Sequence, residues 1–321
     1  MKIKISLIIP ILNEADAIPL LIEKTSVVMA QNFKNNFEVI LVNDGSTDNS
    51  EEAIAKHEKN FSWLRYISLS RNYGQSTALQ AGFDFSRGEL IVTMDGDLQN
   101  DPEDIPNMIK ILDKNSDIDV ISGWRKDRKD FTLSRKLPSK IANKIISSVT
   151  GTKLNDYGCS LKVYRSEIIK NLRLYGEMHR FIPAIAADVG AKIVELPVRH
   201  YKRETGKSKY GIDRTVRVLL DLIWIKFSHK FILRPIHAFG GIALLMLVLG
   251  ILIFLFLLFE KLVLGNDIGG RPLMVLGLLL TLIGTQFLAV GLIGEILTRI
   301  YHEPLGRKQY LIRKKNFSSE V

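Results

Sequence analysis

Gly88–Asp104 reads GELIVTMDGDLQNDPED. Leu90 to Met94 is a short apolar run, the composition of a strand buried on both faces. The chain then turns abruptly polar, with Asp95 and Asp97 separated by one glycine. A strand ending this way sets two carboxylates beyond the sheet edge, and hard divalent cations such as Mg²⁺ or Mn²⁺ take such oxygen ligands. A lone Asp-x-Asp is equally an ordinary turn or helix start. Its surroundings decide between the two readings.

On either side the same alternation recurs. KISLIIP (4–10), FEVILVN (37–43), LRYISLS (64–70) and DIDVISG (117–123) are further β-like runs separated by segments of helical character. Strands alternating with helices predict a mostly parallel sheet covered by helices. In such sheets ligands bind beyond the carboxyl ends of the strands. Those ends carry Pro10 to Glu14, Asn43 to Asp48, Ser70 to Asn72, Asp95 to Asp97 and Gly123 to Arg125. Five polar clusters on one rim predict a site for a large polar ligand. Asn13 and Glu14 also suit a helix N-terminus, and Asp44 and Asp48 an Asx-type turn around Gly45.

The 321 residues carry a formal net charge of +10, which suits nucleic acid, an anionic membrane or a phosphorylated substrate. Placement separates these. Arg125 to Lys144 holds eight Lys/Arg against Asp127 and Asp130, which favours membrane and lipid phosphate, and no nucleic-acid-binding signature is present. Cys159 is the single cysteine, so an intrachain disulfide or a cysteine-built metal site is excluded, as fits a reducing compartment. The N-terminus shows no secretory cleavage pattern.

Ile236 to Phe259 and Pro272 to Gly294 contain no Asp, Glu, Lys or Arg. Each is long enough to cross a bilayer core as a helix, which takes about 20 residues. Before them, Ile212, Val216, Leu219, Leu220, Ile223 and Phe227 recur at helical spacing, which fits a helix at the membrane interface or one packed on a soluble domain. Nine Lys/Arg flank the pair of spans, against Lys261 and Arg271 between them. The positive-inside rule therefore predicts cytoplasmic flanks and an external loop. The expected organisation is a cytosolic domain over 1–211, a juxtamembrane helix over 212–235, a two-helix transmembrane hairpin over 236–295 and a basic tail over 296–321.

Arg135 and Ser139 are spaced to share the first turns of one helix, and Arg and Ser together suit phosphate recognition. A solvated basic face beside an anionic bilayer is the plainer reading. Arg203, Ser208 and Lys209 lie in a glycine-containing loop before the interface helix, placed to close over phosphates.

SLIIPILNEADAI, VNDGSTDNS, LSRNYGQSTALQAGF, MDGDLQNDPEDIP, NDYGCSLKVYR, HRFIP and RETGKSKYG, with the paired spans, resemble the family-2 glycosyltransferases of the GT-A fold. The resemblance is to the polyprenyl-phosphate sugar transferases, and to the bacterial undecaprenyl-phosphate aminoarabinose-type and glucosyl-type enzymes more than to dolichol-phosphate mannose synthases. It covers nearly the whole chain. It implies a Rossmann-like, mostly parallel sheet domain and an inverting transfer of a sugar from a nucleotide-sugar, UDP-linked, to polyprenyl phosphate. The product would serve cell-envelope glycan or lipid modification.

By the same resemblance Pro10, Asn13, Glu14, Asp44 and Asp95 hold the nucleotide. Asp97 and Gln99, with Asp95, hold Mg²⁺ or Mn²⁺; Arg135 and Ser139, with Arg125, receive the acceptor phosphate; Arg203, Ser208 and Lys209 serve the donor or lipid phosphate. His179 and Arg180 stand on the sugar side, and Asp156 is the residue proposed as a base. A phosphate monoester is already an oxyanion at neutral pH, its second pKa being near 6, so Asp156 has little to deprotonate. The resemblance also implies a homo-oligomer, a tetramer, in the bacterial inner membrane, multi-pass with a cytosolic catalytic domain. Glucose, an N-acetylhexosamine and aminoarabinose all remain open as the sugar. The rival readings are a catalytically silent nucleotide-sugar binder or scaffold, and a lipid-linked sugar flippase.

Overall fold

The computed structural model describes residues 3–126, 146–147, 151–202 and 235–302. The chain divides into two compact units, Met1–Ile225 and Lys226–Val321. In the first, β1 (Ile5–Ile11), β2 (Phe37–Asn43), β3 (Leu64–Ser68), β4 (Leu90–Thr93) and β5 (Val120–Trp124) fall on the five apolar runs. Two more strands join them, β6 (Lys162–Arg165) and β7 (Ile193–Pro197). The first is only four residues long and the second is half-exposed, so neither makes a conspicuous apolar run.

The seven strands lie in the order β3-β2-β1-β4-β6-β5-β7. β1 pairs in parallel with β2 from Ile5↔Phe37 to Ile11↔Asn43, and with β4 from Ile5↔Leu90 to Ile8↔Thr93. β6 runs antiparallel to both β4 and β5. Its beginning, rather than its end, therefore lies at the rim where the parallel strands finish. This reversal carries the preceding segment, Asp156 to Cys159, to the site.

Among the described residues the sheet is accompanied by helices α1 (Ile18–Phe33), α2 (Ser50–Glu58), α3 (Gln75–Phe85), α4 (Ile105–Lys114), α5 (Ser166–Ile169) and α6 (Ile182–Asp188). α1 buries Ile18, Leu21, Ile22, Thr25, Val28 and Met29, a stripe at 3- and 4-residue spacing. α4 does the same with Ile105, Met108, Ile109 and Leu112. These stripes share one core with Leu7, Ile9, Val39, Leu41 and Val92 of the sheet. Each such fully buried side chain contributes about 1.5–3 kcal/mol.

The described residues of the second unit form a helical hairpin, α7 (Pro235–Leu262) and α8 (Pro272–His302). Phe239–Leu262 and Pro272–Gly294 are long and apolar enough to cross a membrane. At their turn Arg271 binds Glu260 at 2.6 Å, and Asn266 donates to the same carboxylate at 3.2 Å. α8 continues past the end expected for the hairpin. No helix breaker intervenes before Pro304, and a change of environment at a membrane surface does not by itself stop a helix. The first residues of the expected tail, 296–302, are thus helical.

Candidate functional site

The loops after β1 and β2 are laced together. Asn13 adopts φ 50°, a left-handed conformation that Asn tolerates. Its Oδ1 accepts from the Thr47 amide at 2.7 Å, and its own amide donates to Ser46 Oγ at 2.9 Å. The amides of Glu14 and Ala15 donate to Ser50 Oγ and Asp48 Oδ2, each at 3.1 Å. Asp48 also accepts from the Ser50 amide and hydroxyl at the start of α2, whereas across Gly45 it is Asn43 that accepts from the Ser46 amide. Pro10 lies opposite Val42, one residue before the paired part of β1 ends at Ile11↔Asn43.

Asp44 is buried, and its two oxygens accept from the Tyr73 amide at 2.8 Å and the Gly74 amide at 2.9 Å. Burial raises its pKa, and the two amides oppose that without cancelling it. The carboxylate expected to meet the nucleotide is thus already engaged in fixing the loop between β3 and α3. Gly45, at φ +63°, packs on that loop so tightly that a Cβ would stand 2.2 Å from the Arg71 carbonyl carbon.

Asp95, Asp97 and Gln99 are half-buried at the end of β4. Gln75, the first residue of α3, donates from Nε2 to Asp95 Oδ1 at 2.7 Å, and Asp95 Oδ2 accepts no hydrogen bond from the described residues. Asp97 Oδ1 accepts from the Gln99 amide at 3.2 Å. Between them Leu98 sits at φ 61°, a conformation costing a non-glycine residue about 1–2 kcal/mol. Local strain of this kind gathers at functional sites. Among the described residues no group of three His, Cys, Asp or Glu is close enough to hold a metal. Two carboxylates and an amide oxygen are nevertheless the hard donors Mg²⁺ or Mn²⁺ takes, and a diphosphate commonly completes such a sphere. The residues fit the ion on those terms.

The rest of DLQNDPED does other work. Arg199, just past β7, meets Asp101 at 3.1 Å, Glu103 at 2.9 Å and Asp104 at 3.1 Å. Tyr201 donates its hydroxyl to Asp101 at 2.9 Å and its amide to the Gln99 carbonyl at 2.9 Å, while Gln99 Nε2 donates to the Tyr201 carbonyl at 3.3 Å. These acidic residues clamp the loop after β4 to the chain leaving β7, and do not enlarge the cluster of carboxylates around Asp95.

Arg125 and Asp156 form a two-pronged ion pair, Nε to Oδ2 at 2.7 Å and a terminal nitrogen to Oδ1 at 2.9 Å, with both side chains 11% exposed. The backbone amides of Arg125 and Gly158 add two further donors to Asp156, at 3.2 and 3.1 Å. Burial works against the Asp156 charge, but the hydrogen bonds and charge of Arg125 outweigh it and hold the carboxyl below its ordinary value. Asp156 is therefore a weak base, and Arg125 has its fork committed to a carboxylate. Beneath them Lys162 is buried, bonded to the Cys159 carbonyl; burial pulls its pKa down although Cys159, Asp156 and Asp95 oppose this. Burial pushes the Cys159 thiol up to about 11, which leaves it inert at neutral pH.

His179 lies against Ser76, the second residue of α3. Its amide donates to Ser76 Oγ at 3.0 Å and its Nδ1 is 3.0 Å from the same hydroxyl. With Gln75 on Asp95, the start of α3 ties the HRFIP segment, including half-buried Arg180, to the end of β4. Sequence reasoning named no residue of Tyr73 to Ser76 for the site. The signal available was a helix beginning directly after the polar cluster at Ser70 to Asn72. Arg135, Ser139, Arg203, Ser208, Lys209 and the helix expected over 212–235, save Pro235, lie outside the described residues.

Residues 6–173 match the profile of Glycosyl transferase family 2. The chain is 46% identical over 319 residues to the dodecaprenyl-phosphate galacturonate synthase of Rhizobium johnstonii, covering 98% of this chain and 93% of that protein. It is 37% identical over 313 residues to the undecaprenyl-phosphate 4-deoxy-4-formamido-L-arabinose transferase of Photorhabdus laumondii, covering 97% and 94%. In fold it resembles glucosyl-3-phosphoglycerate synthase of Mycobacterium tuberculosis, solved with Mn²⁺, uridine diphosphate and phosphoglyceric acid. The TM-score is 0.53 at 18% identity, over 70% of this chain and 78% of that one.

Proposed function

The chain belongs to Glycosyl transferase family 2 and is a polyprenyl-phosphate glycosyltransferase, and on that premise we propose that it transfers galacturonate from a UDP-linked donor to undecaprenyl or dodecaprenyl phosphate. The observation that carries the choice of sugar is the 46% identity to a galacturonate synthase along 98% of the chain, both apolar helices included. 4-Deoxy-4-formamido-arabinose is the second reading, supported by the 37% identical transferase.

The acceptor phosphate oxygen attacks the anomeric carbon, the bond from that carbon to the β-phosphate oxygen of the nucleotide breaks, and the configuration inverts. The laced loops at Asn13, Glu14 and Ser46 to Ser50 form the nucleotide side of the rim, with Asp44 acting through the loop it fixes. Asp95, Asp97 and Gln99 would hold Mg²⁺ or Mn²⁺. Such an ion supplies Lewis-acid stabilisation to the departing diphosphate. The nucleophile carries its own negative charge, so Asp156 serves to orient rather than to deprotonate. It holds Arg125, and Arg125 in turn keeps the carboxylate charged. Arg135 and Ser139 receive the lipid phosphate, and Arg203, Ser208 and Lys209 close over donor or lipid phosphate. His179 and Arg180, tied to α3, border the sugar. The hairpin anchors the enzyme in the bacterial inner membrane with its catalytic unit in the cytosol, as a homo-oligomer.

Purified protein given Mn²⁺, undecaprenyl phosphate and a panel of radiolabelled UDP-sugars tests this reading. Labelled lipid should form with UDP-galacturonate. Product from another sugar alone would overturn the choice of donor; product from none, with every donor binding, would leave the silent binder.

A further inference from the structure

α8 carries one amide in the middle of an otherwise apolar outward stripe. The seam between α7 and α8 is defined by Phe239 stacked on Phe287 at 6.1 Å, by Gly284 against Ala243 and Leu247, and by Gly277 and Thr281 against Gly250. At about 100° per residue, Gln286 points to the opposite side of α8, in line with Val275, Leu279, Leu282 and Ile293. All five are exposed.

Nearby polar side chains are satisfied within the helix. Thr281 and Thr285 each donate to the carbonyl one turn back at 2.8 Å. Gln286 has no hydrogen-bond partner among the described residues. It lies about 12 Å along the helix from Gly294, the nearer end of the apolar span, too deep for its short side chain to reach water. An amide left unpaired in hydrocarbon is costly, and neither acyl chains nor a polyprenyl tail offers it a partner.

A carboxamide has donors and an acceptor together, so its complement is another carboxamide. The stripe bears no charge, so two copies do not repel. We propose that the Gln286 face of α8 is a lateral self-association surface, where two copies of this chain meet within the bilayer and exchange amide hydrogen bonds. The proposal rests on the membrane-spanning reading of α7 and α8 and names the surface that homo-oligomerisation would use.

The test uses the full chain in native membranes. Ile293→Cys stands two turns from Gln286 on the stripe, whereas Leu252→Cys stands exposed on α7 away from the seam, and native Cys159 is buried. On mild oxidation Ile293→Cys should give a covalent dimer and Leu252→Cys should not. Adding Gln286→Leu should weaken association about three- to thirtyfold, the worth of an interhelical hydrogen bond in lipid; Gln286→Asn should retain much of it. Equal crosslinking at both cysteines, a dimer indifferent to Gln286→Leu, or linkage only to a different protein would overturn the proposal. An alkaline carbonate wash separates the two ideas: retention without crosslinking defeats the interface alone, while release defeats the membrane reading and the interface with it.

Discussion

Asp156 shows how a residue type underdetermines a role. Its place before Tyr157-Gly158-Cys159 marks it as a candidate base, yet in the fold it is a buried carboxylate gripped by Arg125. Replacing it by Asn leaves Arg125 buried without its counter-ion, at a cost of about 3–5 kcal/mol. Asp156→Asn should therefore melt well below the native protein at pH 7 and keep reduced but measurable transfer. Because the folded pKa is depressed, the stabilisation is present above the ordinary carboxylate value and is lost as pH falls through the folded one. The gap between the two melting curves should narrow below about pH 4. Abolished product with intact donor affinity and a vanished acidic limb in the rate profile would instead establish a general base. Asp97 leads to the opposite expectation. Asp97→Asn should fold normally and lose transfer by about 100-fold or more, as should the native enzyme treated with chelator; full activity in either case would remove the metal. The Asp95–Asp97 pair was legible from a strand running into it, whereas Gln75 and Ser76 were not, since their partners lie 20 and 103 residues away.

Among the elements, the loops after β2 and β3 meet at Gly45. Alanine there would need a positive φ and would collide with backbone atoms of Arg71 and Asn72, at 2.2 and 2.5 Å, which cannot swing aside. Gly45→Ala should cost about 2–3 kcal/mol, or very roughly 4–12 °C in the melting temperature of a domain this size. Nucleotide affinity by calorimetry should fall with it, because the loop after β2 carries Asp44 and holds Asn13 through Ser46 and Thr47. An unchanged melt would show that the two loops can separate freely. β1, β2, β4 and β5 could be read because each is a buried apolar run, and half-exposed β3 because Tyr66 and Ile67 are residues that favour strands. β6 and β7 could not, because what places them is pairing with β4 and β5 rather than any composition of their own. The acidic run 101–104 is taken up by Arg199, about 95 residues away, a pairing that local composition does not announce.

For the whole molecule the proposed orientation puts the 263–271 turn outside and both basic flanks in the cytosol. Asn266→Cys should react with an impermeant thiol reagent added to sealed cells, and protection there with labelling only in inverted vesicles would reverse the hairpin. At this scale the motifs were sufficient for the reaction class but not the sugar. They left glucose, an N-acetylhexosamine and aminoarabinose open, and the proposed sugar, galacturonate, was not among them. Discrimination between sugars rests on a few polar contacts around the ring, and a sequence motif names residues without placing them about a substrate.

The sequence alone determined what depends on local composition: buried parallel strands, two membrane-length apolar helices, and a pair of carboxylates at a strand end. Those signals survive without tertiary information because hydrophobic burial and strand periodicity act on contiguous residues. Tertiary packing sets the antiparallel entry of β6, the Arg125–Asp156 pair, the engagement of Asp44 with Tyr73 and Gly74, and the outward aim of Gln286. Each of these is a contact or an orientation set by packing between segments distant in sequence, where the free energy belongs to the pair and neither residue announces it.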